Sequence, residues 1–183
     1  MARSQRTGDG EARSGDLTHI DEHGHAHMVD VTAKPLTRRV ALARCTVVTG
    51  ADVPAVLQAA SDDLDAVEAA RVAGIQAAKQ TAALIPLCHP IALDAIRVTV
   101  EVHEHRLDVG AMAQIVERTG VEMEALTACA VTALSLLHVL LAVDPGASVE
   151  DLTLWHKSGG RSGVWERRGP EADMQHGMEG TEA

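Results

Sequence analysis

The stretch IRVTVEVHEHRLDVGAMAQIV (96–116) predicts the central feature of the fold. Apolar and polar residues alternate from Ile96 to Val102, and after a short polar link a second strand-like run follows at 107–116. A period of two is typical of a strand that buries one of its faces. The stretch therefore predicts a β-hairpin within an antiparallel sheet.

The flanking sequence predicts two further strands and three helices. They are a strand at 39–48 (RVALARCTVV), a short helix at 53–60 capped by Asp52 with Pro54 in its first turn, a helix at about 64–84 starting near Asp62 or Asp63, a helix at about 121–143, and a strand at 149–157. The order β-α-α-β-β-α-β predicts an α+β fold of ferredoxin-like kind, an antiparallel sheet covered by helices.

The chain of 183 residues is long enough for one domain with a substantial core and short for two. Residues 1–16 and 166–183 are polar, without a periodic apolar pattern. Such composition is typical of disordered tails. We predict a single folded domain at 17–165, preceded by a disordered tail and followed by a disordered acidic one.

Charge and cysteine content argue against several function classes. A formal net charge of −10 disfavours nonspecific nucleic-acid binding, which needs clustered Lys and Arg. Cys45, Cys88 and Cys129 form no CxxC pair, so neither a disulfide framework nor a zinc ribbon is predicted. The polar N-terminus does not read as a signal peptide, and the apolar run at 127–143 is shorter than a membrane span of about 20 residues. We expect a cytoplasmic protein without nucleic-acid or membrane partners.

The segment LIPLCHP (84–90) is the first candidate for chemistry. Pro86 and Pro90 bracket Leu87, Cys88 and His89 and restrict the backbone there. A histidine held in this way suits a general acid or base, or a phosphate contact. A structural turn with an exposed His89 is the alternative.

The segment GVEMEALT (120–127) is the second candidate. Glu122 and Glu124 are two apart on a predicted helix, roughly 200° around its axis, so they are not expected to share a face. One is expected to face a site while the other caps or pairs. Favourable placement of both in the helix dipole is the alternative.

The segment HKSGGRSG (156–163) is the third candidate. Lys157 and Arg161 flank two glycines whose N–H groups could approach an anion closely, which predicts a phosphate cradle. A mobile loop is the alternative. Lys79 and Lys157 are two of only three lysines, and lysine suits proton transfer because its pKa can be depressed.

Two histidine-containing stretches remain. EHGHAH (22–27) places His23, His25 and His27 at strand spacing, which could serve a metal, although no fourth ligand has a defined spacing. In ALSLLHVLLAV (133–143) a single His138 interrupts an apolar run, as a satisfied core histidine would.

Four segments carry a family resemblance. They are LTHIDEHGHAHMVDVTAK (17–34), AARVAGIQAAKQTAALIPLCHP (69–90), TGVEMEALTACAVTAL (119–134) and KSGGRSG (157–163). In this order and spacing they resemble the cyclic pyranopterin monophosphate synthase family, also called the molybdenum cofactor biosynthesis protein C (MoaC) family. The resemblance implies a homohexamer, built as a trimer of dimers, with active sites at subunit interfaces.

The resemblance also implies a reaction. The GTP-derived triphosphate 3′,8-cyclo-7,8-dihydroguanosine 5′-triphosphate is rearranged to cyclic pyranopterin monophosphate with loss of pyrophosphate, and no metal or organic cofactor is implied. Together with the residue analysis it gives a set of candidate site residues. They are Lys157, Lys79 and His138 in catalysis, and Leu87, Cys88, His89, Met123, Glu122, Glu124, Arg39 and Arg161 in substrate binding.

Three positions depart from the family pattern, as does the segment AQIVERTG (113–120), which stands where the family usually has a second Thr-Gly. His138 and Leu141 stand where the family has a catalytic aspartate and, three residues later, a lysine. A further family lysine falls near Asp63. Two hypotheses follow: a divergent synthase in which His138 is a substituted active-site residue, or an impaired paralogue that binds a nucleotide or partners a catalytic homologue in mixed oligomers.

Overall fold

The computed structural model describes residues 19–21, 23–60 and 65–167, and its elements follow the predicted order. They are β1 (Thr37–Val48), α1 (Val53–Ala59), α2 (Ala66–Ala78), α3 (Thr81–Leu84), β2 (Ala95–Val102), β3 (Arg106–Glu117), α4 (Glu122–Leu140), β4 (Ser148–Ser158) and β5 (Trp165–Glu166).

The strands form one antiparallel sheet in the order β2-β3-β1-β4-β5. The predicted hairpin is confirmed: β2 pairs with β3, and Val102 lies opposite Leu107 beside the turn. The order and connections of β1 to β4 are those of a ferredoxin-like α+β fold, as the sequence predicted.

The core lies between one face of this sheet and α4. Alternate residues of β1 are buried, and small residues of α4 pack toward them, so the helix comes close to the sheet. The buried set in these two elements includes Ala41, Ala43, Cys45 and Val47 of β1 and Ala125, Ala128, Cys129 and Ala133 of α4.

Gly74 allows α2 to pack closely on α4. A Cβ at this position would overlap Thr132 Oγ1 and would lie 2.7 Å from the carbonyl oxygen of Ala128. The Thr132 hydroxyl already donates a 2.8 Å hydrogen bond to that carbonyl, so it is not free to move aside. The glycine in RVAGIQAAK therefore serves helix packing.

The single helix predicted at about 64–84 was wrong, because α2 ends at Ala78 and α3 begins at Thr81. The Gln80 N–H bonds the Ala77 carbonyl, and the Thr81 hydroxyl donates to the Ala78 carbonyl at 2.9 Å, so the last turn of α2 is closed locally. Its N-cap is Asp65, whose carboxylate accepts from the Val67 N–H. Asp62 and Asp63 lie outside the described residues.

One strand and one domain boundary differ from the sequence-based prediction. The short strand β5 was not predicted, and it pairs with β4 one residue beyond the expected domain end at 165. The two predicted tails otherwise lie outside the described residues.

By length and hydropathy alone α4 could cross a membrane, but half of that segment is buried, as in the core helix of a globular domain.

Candidate functional site

A groove formed by neighbouring depressions lies beside the first turn of α4. It consists of four depressions of about 280, 230, 50 and 370 Å³ that share lining residues. The groove holds all the candidate site residues except His138. In order along it lie Lys79 and His89, then Leu87, Cys88, Met123 and Glu124, then Glu122 and Lys157, then Arg39 and Arg161.

Glu124 is the most buried carboxylate of the groove, with 4% of its surface exposed. Burial raises the pKa of Glu124, the nearby Glu122 carboxylate raises it further, and a backbone hydrogen bond opposes both. Because its neutral form is favoured, Glu124 has the character of a proton donor in this groove.

Glu122 also lines the central depression, contrary to the expectation that the two glutamates diverge. It is the first residue of α4, and its carboxylate folds back over Gly120, where a Cβ would overlap it. Its Oε1 accepts a 3.2 Å hydrogen bond from Lys157 Nζ on β4. The rotation argument fails here because long side chains at a helix end can bend toward a common point.

The turn LCHP (87–90), called the LCHP turn, brings Leu87, Cys88 and His89 to the groove. Leu87 has a φ of 71°, a conformation that is strained for a leucine and reverses the chain after Pro86. The His89 ring bonds the Val29 carbonyl through Nε2 at 2.8 Å. Since a carbonyl only accepts, Nε2 carries the proton and Nδ1 of the neutral ring is left as the acceptor.

Cys88 lies beside Glu124 in the same depression and is half-buried. Burial raises the pKa of its thiol, and the negative charge of Glu124 raises it further. Cys88 is therefore a neutral thiol near pH 7, suited to ligand contact rather than to nucleophilic attack.

Arg39 is fixed at the cationic end of the groove. Its guanidinium donates to the carbonyls of Glu117, at 3.3 Å, and Arg118, at 3.1 Å. Gly160, with a φ of 69°, lies against this guanidinium, and Gly159, with a φ of 98°, lies against the Arg38 carbonyl. Both glycines are thus required by contact with β1, a reason separate from the predicted phosphate cradle.

Sequence reasoning missed two ionisable residues of the groove. His19 lines the central depression, and Lys34 lines the 370 Å³ depression with Arg39 and Arg161. Each had a signal: His19 belongs to the first of the four family-like segments, and Lys34 is the third of only three lysines in the chain.

The structure places His138 away from the groove of its own chain. It lies 14 residues after Glu124 on α4, about 21 Å along the helix axis. His138 is exposed, so its interpretation as a core histidine was wrong, and Leu141 beside it is exposed as well. The site role predicted for His138 would require contact with another chain.

The N-terminal histidines do not converge in the way a metal site requires. The rings of His23 and His25 lie 6.3 Å apart, and His25 Nδ1 is 3.6 Å from an Asp21 carboxylate oxygen. His19 lines the central depression of the groove instead.

Fold and groove together define an α+β protein with a polar site in which a buried carboxyl of raised pKa and an imidazole lie beside clustered cations. Comparison with known proteins gives the family: the model of the MoaC family matches residues 28–160. The chain belongs to the MoaC family.

Several relatives share most of their length with this chain. Cyclic pyranopterin monophosphate synthase 2 of Mycobacterium tuberculosis H37Rv is 48% identical over 169 residues, covering 92% of this chain and 100% of that protein. Cyclic pyranopterin monophosphate synthase of Thermomicrobium roseum is 50% identical over 162 residues, 86% of this chain and 96% of that protein. The protein of the same name from Streptomyces coelicolor is 42% identical over 162 residues, 88% of this chain and 95% of that protein.

Proposed function

We propose that this chain is a cyclic pyranopterin monophosphate synthase acting in molybdenum cofactor biosynthesis. Its substrate would be 3′,8-cyclo-7,8-dihydroguanosine 5′-triphosphate, and its products cyclic pyranopterin monophosphate and pyrophosphate. Family membership and the names of relatives that match over most of their length support the activity. The observation that carries it in the structure is the groove, which joins a protonatable carboxyl to a cationic end within one chain.

The cationic end would hold the triphosphate. Lys157, Arg39, Arg161 and Lys34 line two adjoining depressions, so several positive charges face one volume. Release of pyrophosphate leaves negative charge on the departing oxygen, which a fixed cation stabilises. Arg39 is already held by two carbonyls, so little reorganisation is needed for its part in binding.

The central depression would carry the ring chemistry. Opening and reclosing rings requires a proton donor and a proton acceptor held near the same atoms. Glu124, whose neutral form burial favours, is the donor in this proposal, and the acceptor is the Nδ1 atom of His89. Lys79 lines the adjoining depression together with Glu124 and His89. We assign it a catalytic role as an amine, in addition to that of Lys157.

Lys157 is poised between the two parts of the groove. In the structure it is paired with Glu122 at 3.2 Å, and both side chains are about one-third exposed. A phosphate that reaches Lys157 would compete with this carboxylate, so we expect Glu122 to hold the ammonium in position until the substrate binds.

Assembly is part of the proposal, because His138 lies about 21 Å along α4 from Glu124. We propose a homohexamer, a trimer of dimers, in which His138 of one chain reaches the groove of another. Light scattering of the purified full-length protein is expected to give the mass of six chains. A monomeric mass in a sample that turns over substrate would contradict this assembly.

The activity is tested by incubating the purified full-length protein with the authentic cyclised intermediate while following pyrophosphate and the pterin product separately. The proposal predicts equal amounts of both, formed in proportion to enzyme concentration. Pyrophosphate at the level of a protein-free blank would overturn it. Saturable substrate binding without either product would also overturn it, in favour of the impaired-paralogue hypothesis.

A further inference from the structure

Three potential metal ligands meet at the tip of the β2–β3 hairpin, at the opposite end of the sheet from the cationic groove. Glu101 on β2 lies directly opposite Asp108 on β3, and His103 belongs to the turn that joins the strands. One ligand atom from each of the three side chains lies within 4.8 Å of the others. Thr46, which pairs with Asp108, lies seven positions along β1 from Arg39, about 23 Å of strand.

The closest pair in this cluster is not an ordinary hydrogen bond. His103 Nε2 and Asp108 Oδ2 are 2.9 Å apart, yet both atoms are buried and neither has a hydrogen bond of acceptable geometry. Buried polar atoms without such partners are costly. Two ligands of a tetrahedral ion, with bonds of about 2.1 Å, lie about 3.4 Å apart, so an ion shared by His103 and Asp108 would widen their 2.9 Å separation by about 0.5 Å.

The carboxylate of Asp108 is oriented by the surrounding fold. Its side chain is only 12% exposed, and its other oxygen, Oδ1, accepts a 3.1 Å hydrogen bond from the Thr46 hydroxyl. A hydrogen bond to the second carboxylate oxygen orients a metal ligand in the way outer partners do in known sites. Thr46 thus ties the cluster to β1.

We propose that Glu101, His103 and Asp108 form a site for a divalent transition-metal ion such as Zn²⁺. The donor atoms are His103 Nε2, Asp108 Oδ2 and a Glu101 carboxylate oxygen, with water completing the coordination. One imidazole and two carboxylates form a nitrogen and oxygen set that suits Zn²⁺ and its first-row neighbours. The site is separate from the proposed synthase chemistry, and its expected effect is to fasten the β2–β3 turn.

Arg106 supplies the competing interaction. Its Nε lies 3.3 Å from the same Asp108 Oδ2, and its side chain is 53% exposed. An exposed guanidinium can withdraw into water when a metal ion takes the carboxylate. Metal binding should therefore be tighter without Arg106, whereas a plain Arg106–Asp108–His103 charge network predicts no metal affinity in any variant.

The test is isothermal titration of Zn²⁺ into the full-length protein in which His23, His25 and His27 are alanine, which removes the exposed N-terminal imidazoles. One Zn²⁺ per chain is expected. His103→Ala and Asp108→Asn should each weaken binding at least tenfold, and Arg106→Gln should strengthen it. Glu104→Gln, an 81% exposed carboxylate in the same turn, is the matched control and should leave affinity unchanged.

Two further readouts keep the test decisive if Asp108→Asn folds poorly. In the wild-type chain, Zn²⁺ should shift the Nε2 resonance of His103 in nitrogen-15 NMR spectra and raise Tm, because a ligand of the folded state stabilises it. The His103→Ala chain, altered only in a turn, should show no such rise in Tm. Unchanged Zn²⁺ affinity in His103→Ala, or no binding in the parent chain, would overturn the proposal.

Discussion

The two ends of α4 differ in how many of their side-chain contacts are supplied by their own chain. At the first turn, Glu122 is paired with Lys157, Glu124 is buried, and both line a groove with the LCHP turn. At the last turn, His138 and Leu141 are exposed. The first end owes its arrangement to the packing of its own chain, whereas the role predicted for the second would require a neighbouring one.

The two ends also differ in what a substitution would do to the single chain. Residues at the first end contact β1, β4 and the LCHP turn, so a substitution there would disturb local packing as well as chemistry. His138 and Leu141 are exposed, so we expect substitutions there to leave the fold of the single chain intact. Stability therefore constrains the first end of α4 more than the second.

The largest expected effect is at the first end. Lys157→Ala should lower kcat/KM for the cyclised intermediate about 100-fold or more, because a cation facing the departing phosphate is lost. Steady-state pyrophosphate release measures it. Arg38→Ala is the matched control: Arg38 lies on β1 beside Arg39 but bonds Gln114 and does not line the groove, so its rate should be unchanged. Wild-type activity in Lys157→Ala would show that the first end is misassigned.

The close packing of α2 against the middle of α4 should contribute to the stability of the fold. Gly74→Ala is expected to destabilise the fold by about 1–3 kcal/mol, because the added methyl group meets Thr132 and the Ala128 carbonyl. Urea unfolding followed by circular dichroism measures this change. Ala73→Gly, at the neighbouring and partly exposed position of α2, controls for helix propensity alone. A more stable Gly74→Ala chain would mean that α2 and α4 are not in close contact.

A double substitution at the second end of α4 should increase the rate of turnover. If His138 and Leu141 limit turnover, the double variant His138→Asp, Leu141→Lys should raise kcat about tenfold by supplying a fixed charge and an amine. Both positions are exposed in the single chain, so Tm should change little. Product formation under saturating substrate measures the gain. A rate equal to that of the wild type would mean that His138 and Leu141 do not limit turnover.

The smallest effect is a pH dependence of stability at Glu124. Because its pKa is raised in the folded state, the unfolded chain binds fewer protons, and stability falls as pH rises from the unfolded pKa through the folded one. Glu124→Gln removes this loss, worth about 1.4 kcal/mol for each unit of pKa elevation. The variant should therefore melt above the wild type at pH 8 and not at pH 4. A difference in Tm that is the same at both pH values would contradict a raised pKa.

The fold was largely predictable because its signals are local. The alternation at 96–116 predicted β2 and β3, and Asp52 predicted the cap of α1, since both depend on neighbours in sequence. The break between α2 and α3 was not predictable in the same way, because the hydroxyl of Thr81 closes the turn and threonine also occurs inside helices.

The groove was predictable in its residues but not in its geometry. The family-like segments named Lys79, His89 and Lys157, whereas the fold-back of Glu122 over Gly120 depends on contacts between segments 35 residues apart. The positions of His19 and Lys34 likewise depend on where the N-terminal segment packs. Such contacts leave no periodic trace in the sequence.

The most direct test of the groove as a catalytic site compares Glu124→Gln with Glu104→Gln in the turnover assay. Glutamine keeps the shape of Glu124 but cannot donate the carboxyl proton, and Glu104 is an exposed carboxylate of the β2–β3 turn, far from the groove. We predict that Glu124→Gln loses about 100-fold or more in kcat while substrate binding persists, and that Glu104→Gln keeps the wild-type rate. Equal rates in the two variants would contradict the proposed role of the buried carboxyl.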